Sequence, residues 1–196
     1  MSKLTILKLL LTSMVTLAFA QMVYYFAQSL RNWGGDDGFT MPRRNDLGFA
    51  SLADHFARRL DAQVILTGNS DEEAIVHSIT ERMATKPINL VGRTSLGGLA
   101  ALISALDLFV SNDTGPAHIA CAVDTLSITI FGPADYRRWT PLDQKRHPVI
   151  RRPVECSPCS YWDCPIDHRC LRWISPEMVI AVAENLLAKG TVSCGV

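Results

Sequence analysis

At 196 residues and 48% apolar content, the chain is long enough for one full domain with a real core, or a domain plus a tail. Nineteen basic residues balance nineteen acidic ones, which excludes a general affinity for nucleic acid or acidic surfaces. Any anion must therefore be held by a local site.

In chain order, Lys3 precedes an apolar stretch from Leu9 to Ala20, and Ala18-Phe19-Ala20 before Gln21 has the small-x-small form of a leader cleavage site. The run from Leu4 to Ala27 is also long enough to span a bilayer, interrupted by Lys8 and Gln21. Residues 1–30 thus read as a signal peptide, a membrane anchor, or an amphipathic helix remaining from a larger protein. Composition does not separate the three. Residues 31–48, rich in Gly, Asp, Arg and Asn, read as a linker.

From residue 49 the pattern becomes regular. Phe49, Leu52, Ala53, Phe56 and Leu60 fall at helical spacing, and Val64-Ile65-Leu66 is a short strand ending at Thr67-Gly68. Ser70 with Glu73 forms a capping box for a helix carrying Ile75, Ile79 and Met83. Residues 88–91 are the next strand, and Ser95 caps a helix whose apolar face is Leu96, Leu99, Ile103 and Leu106. A strand over 108–111, a helix over 116–123 and a strand from Leu126 to Phe131 follow. Between Asp135 and Trp173 no period is clear. Ser175 then caps a last helix with Pro176 at its first position.

Helices alternating with short, continuously apolar strands predict an α/β fold over 49–190: a Rossmann-like doubly wound parallel sheet covered on both faces. Ligands of such folds sit beyond the carboxyl ends of the strands, where Gly68, Gly92, Asn112 and Gly132 all fall. The most informative of these ends is Ser111-Asn112-Asp113-Thr114-Gly115-Pro116-Ala117-His118. A helix opening directly off a strand, with Pro at its first position, directs unsatisfied N–H groups and the positive end of its dipole at one point, which suits phosphate. Each residue also has a plainer reading. Asp113 or Thr114 serves equally as a helix N-cap, and His118 as a hydrogen-bonded core histidine. Arg137, Arg138 and Trp139 either line the crevice or lie on an exposed loop.

The segment from Asn112 to Ala120, followed by Phe131-Gly132-Pro133, resembles the signature of glycosyltransferase family 9, which includes the ADP-heptose:lipopolysaccharide heptosyltransferases. Gly92-Arg93-Thr94-Ser95-Leu96 is similar to the family's stretch before a helix, and Cys156-Ser157-Pro158-Cys159 with Cys164 and Cys170 to its cysteine-bearing loop. The likeness covers about residues 47 to 190. It implies the C-terminal half of a GT-B architecture, the half that holds the nucleotide-sugar donor. On that basis Asp113, Thr114, Gly115 and His118 would contact the donor's diphosphate, and Glu72 would hold the nucleoside ribose. Thr hydroxyls, backbone N–H groups and imidazole can all donate to phosphate, and a carboxylate accepts from ribose hydroxyls. Glu72 has its own plainer role, favouring a helix dipole at the N-terminus.

The resemblance implies transfer of a heptose-type sugar from a nucleotide-diphosphate donor, ADP-heptose, to a lipopolysaccharide core acceptor. The acceptor is a lipid A–core precursor at the cytoplasmic face of the inner membrane. No metal and no resident cofactor is demanded, the sugar nucleotide being a co-substrate. The family's acceptor-binding half, where its carboxylate base lies, has no counterpart before residue 47, so no catalytic residue is assigned. A separate acceptor-binding half is one implied partner. The alternative is a truncated, non-catalytic nucleotide-sugar-binding module. The family's basic residue before the first helix has only Pro42-Arg43-Arg44 as an approximate match. The four cysteines of the 156–170 loop suit tetrahedral zinc, two disulfides or free packed thiols, according to compartment.

Overall fold

The computed structural model describes residues 48–159 and 164–190. The expectations for residues 1–30, the linker up to residue 47 and Pro42-Arg43-Arg44 lie outside the described residues.

The first described helix, α1 (Phe49–Arg59), buries Ala50, Leu52 and Ala53 and ends at Leu60, which is left largely exposed. Its entry is tight. Gly48 has φ +72, and a Cβ there would fall 2.3 Å from Cγ of Pro176, so only glycine allows this approach. Strand β1 (Ile65–Leu66) runs parallel to β2 (Ile88–Asn89), with α2 (Glu73–Arg82) between them. Their ladder continues past both strands, the Gly92 N–H donating to the Gly68 carbonyl at 2.9 Å. The capping box before α2 sits one residue earlier than the sequence predicts. Asn69 Oδ1 accepts from the Glu72 N–H and Glu72 Oε2 from the Asn69 N–H, each at 3.1 Å. The box closes a 3-10 turn, Ser70–Glu72, that leads into α2. Asn and Glu at this spacing satisfy the same two donors as Ser and Glu would.

Helix α3 (Leu96–Ser104) starts as predicted, with Ser95 Oγ accepting from the Gly98 N–H at 3.1 Å. Its buried contact is Ile103; Leu96, the first helical residue and expected on the apolar face, is 75% exposed. Strands β3 (Phe109–Asn112), β4 (Ser127–Phe131) and β5 (Val149–Arg151) form a second parallel ladder in the order β3-β4-β5. Every residue of β4 is buried. On one face Ile128, Ile130 and Ile150 pack with Leu52 of α1 and with Val179, Ala183 and Leu186 of α7 (Pro176–Gly190). On the other, Phe109 packs with Ile103 of α3 and Ala120 of α4 (Gly115–Ala122). The β3–β4–β5 sheet is thus covered on both faces, as the alternating pattern implies.

Three elements fall among the described residues of the stretch whose sequence lacks a period: β5, α5 (Tyr136–Trp139) and α6 (Arg169–Arg172). Each is only three or four residues long. No period can be expressed in so short a segment.

Candidate functional site

The 113–118 loop opens off the carboxyl end of β3. The Asp113 N–H still belongs to the sheet, donating to the Ile130 carbonyl at 3.1 Å. Thr114 then occupies the N-cap position of α4 in extended conformation, yet no side chain caps this helix. Its hydroxyl points back to the Asn112 carbonyl at 3.4 Å. Pro116 has no N–H and Ala117 donates to the Thr114 carbonyl at 3.0 Å. A Cβ built on Gly115 would meet nothing within 4 Å, so the helix start faces open space. That combination corrects the plainer reading of Asp113 and Thr114 as a side-chain cap. The helix keeps its positive end available to an anion.

Around that opening the polar groups are unevenly satisfied. Burial pushes the Asp113 carboxyl above the usual carboxylate range, partly opposed by the nearby His118 imidazole. Asn112 buries Oδ1 with no hydrogen-bond partner among the described residues, a condition that cores rarely tolerate. His118, one turn into α4, lies against Trp139 of α5, ring centroids 5.9 Å apart and planes at 59°.

Of the three residues expected either in the crevice or on a loop, Trp139 reaches the site. Arg137 instead closes on Asp135, its Nε and guanidinium nitrogen donating to the two carboxylate oxygens at 2.9 and 3.0 Å. This pair holds the Asp135 carboxyl below its ordinary range. Sequence reasoning missed Asp135 as the N-cap of α5, although Asp is a favoured N-cap residue.

The structure groups the strand-end loops in two pairs. Gly68 and Gly92 come together after β1 and β2, and a Cβ on Gly92 would lie 3.5 Å from Ser70. Asn112-Asp113 and Ile130-Phe131 come together after β3 and β4. Glu72 belongs to the first pair and Asp113 to His118 belong to the second. Glu72 Oε2 accepts from the Asn69 N–H in the capping box.

Cys156, Cys159, Cys164 and Cys170 are all unbridged. Burial raises the Cys156 and Cys170 thiols, and the neighbouring cysteines raise them further. The His168 N–H donates to Cys164 Sγ at 3.0 Å. Among the described residues no three His, Cys, Asp or Glu side chains are disposed to hold a metal. The loop is joined to the Gly132-Pro133 turn, the Cys159 N–H donating to the Pro133 carbonyl at 2.9 Å.

A sequence profile described as Glycosyltransferase family 9 (heptosyltransferase) matches residues 45–169, well over half of the chain. The chain belongs to glycosyltransferase family 9. It is 30% identical over 142 residues to lipooligosaccharide heptosyltransferase 2 of Campylobacter jejuni, covering 71% of this chain and 44% of that protein. Two solved structures share the fold. One is a family 9 glycosyltransferase from Veillonella parvula, with TM-score 0.63 and 27% identity over 75% of this chain and 42% of that one. The other is the E. coli ADP-heptose lipopolysaccharide heptosyltransferase II, with TM-score 0.62 and 26% identity over 81% and 46%. The chain therefore spans under half the length of these relatives. No described helix is long and apolar enough to cross a membrane.

Proposed function

We propose that residues 49–190 bind the nucleotide-sugar donor of a heptosyltransferase, with ADP-heptose as the donor and a lipopolysaccharide core precursor as the acceptor. The observation that carries this reading is the uncapped start of α4. It faces open space at Gly115 and is flanked by Asp113, Thr114 and His118. Donor diphosphate placed there would accept from backbone N–H and the Thr114 hydroxyl. As the sugar–oxygen bond breaks, negative charge develops on the departing diphosphate, and preorganised donors with the helix dipole stabilise it. His118 adds a donor or a cation. This chemistry calls for no resident cofactor or metal in the described residues. Glu72 is proposed to reach the ribose by turning its carboxylate out of the capping box.

Transfer itself is proposed to need an acceptor-binding half, supplied by the same polypeptide or by a separate chain, at the cytoplasmic surface of the inner membrane. A second reading concerns the described unit taken by itself. It binds the sugar nucleotide and does not turn it over.

Calorimetric titration of ADP and of ADP-heptose distinguishes these. Binding to the parent, weakened about tenfold or more in Thr114→Val and His118→Ala, is the expected result, since hydrogen bonds to charged groups are worth about 1.5–3 kcal/mol. No binding by the parent would overturn the donor reading, and unchanged affinity in both variants would place the ligand elsewhere. Heptose release from ADP-heptose in the presence of a core acceptor would overturn the non-catalytic reading.

A further inference from the structure

Helix α5 has only four residues, too few to be stable by backbone hydrogen bonding alone. It is nonetheless held from three directions. Asp135 caps its first turn and binds Arg137 through both carboxylate oxygens. Arg151 of β5 lays its guanidinium over the Tyr136 ring, 3.7 Å from the centroid. The turn that leads into it, Gly132-Pro133, is fixed by the Cys159 N–H and by Leu171 of the segment around α6, whose side chain lies 3.0 Å from where a Gly132 Cβ would be. The residue this clamp presents is Trp139, 54% exposed, with its indole against the His118 imidazole.

We propose that Trp139 is a positioning residue for His118, holding the imidazole in the orientation that serves a diphosphate seated on the start of α4. The inference rests on the donor-site reading above. An imidazole near a helix start otherwise samples several staggered rotamers, and an indole fixed beside it removes some of them before ligand arrives. When the imidazole carries a proton next to an anion, the indole ring also attracts the cation. Large aromatic rings are usually buried, so an exposed indole on a short helix that a salt bridge and a stacked guanidinium hold is placed for what it touches.

The test uses the full chain with Trp139→Ala, Trp139→Phe, His118→Ala and the Trp139→Ala/His118→Ala double variant. ADP affinity is read by calorimetry and the His118 ring protons by NMR. Aromatic pair contacts predict that Trp139→Ala weakens ADP binding by about threefold to tenfold. Trp139→Phe should restore most of it, and the double variant should bind no more weakly than His118→Ala. The His118 ring-proton shifts should move in Trp139→Ala, as the indole ring current is lost. Parent-like binding by Trp139→Ala overturns the inference alone. So does an equal weakening with and without His118, which would mark a general structural role. Absence of ADP binding by the unsubstituted chain overturns the donor reading and this inference together.

Discussion

The two ends of the β3–β4–β5 sheet carry polar groups of similar kind and treat them in opposite ways. At the amino end the buried Ser127, His147 and Thr125 side chains are paired, while Thr129 Oγ1, midway along β4, has no partner among the described residues. Ser127 Oγ and His147 Nδ1 are 2.9 Å apart, both residues buried, and the Thr125 hydroxyl donates to the Ile103 carbonyl at 2.8 Å. Outside them Arg146 donates to the Asp124 carboxylate and backbone carbonyl, each at 2.8 Å. At the carboxyl end Asn112 Oδ1 is buried without a partner among the described residues, α4 begins without a side-chain cap, and the Asp113 carboxyl is pushed up by burial. Both ends belong to one fold, so the difference is not a matter of burial alone. A polar group satisfied internally stabilises the protein, whereas one held out of water without a full set of partners is available to a ligand.

Three changes would break or sharpen this contrast. The largest effect is expected at the open end. Gly115→Ala adds a methyl where nothing lies within 4 Å, so the fold accepts it while the diphosphate position is crowded. ADP affinity should fall about tenfold or more, and Tm should stay within about 2 °C of the parent, as expected where no packing mechanism is disturbed. A Tm loss without an affinity loss would reverse the assignment of this end.

Thr125→Val at the paired end should do the opposite. It removes a buried hydroxyl and leaves the Ile103 carbonyl without that donor, which costs about 1–2 kcal/mol. A lowered denaturation midpoint with unchanged ADP binding is the result to look for, and weakened binding would show that the two ends are coupled.

The smallest effect concerns pH. Burial, followed by the Arg146 charge, lowers the His147 pKa, so the folded protein prefers the neutral ring. The unfolded chain takes up a proton near pH 6.5, its ordinary value, before the folded one does. Stability contributed by His147 is therefore complete above that pH and is lost as pH falls through it toward the lower folded value. Denaturation midpoints of the parent measured from pH 7.5 to 5 should decline more steeply than those of His147→Gln. Parallel curves would remove His147 as the source.

Much of the carboxyl end was readable before any coordinates. Pro116 after Gly115 marks a helix start, Ser95 marks another, and the apolar runs of β3 and β4 mark the strands that carry the loop, because each is a local signal written in a few adjacent residues. The amino end was not readable. Ser127 and His147 are twenty positions apart, and only the parallel pairing of β4 with the chain before β5 brings them into contact. The same holds for Trp139 beside His118 and for Arg151 over Tyr136.

The sequence by itself therefore determined the class of fold and the strand whose carboxyl end carries the 113–118 loop. Backbone conformation at glycine, proline and capping residues is decided locally, so it can be read locally. Tertiary structure alone decided that Ser127 meets His147, that Arg151 lies over Tyr136, and that a four-residue helix sets Trp139 against His118. Those outcomes depend on which side chains share a space, and packing across the sheet chooses them rather than neighbours along the chain.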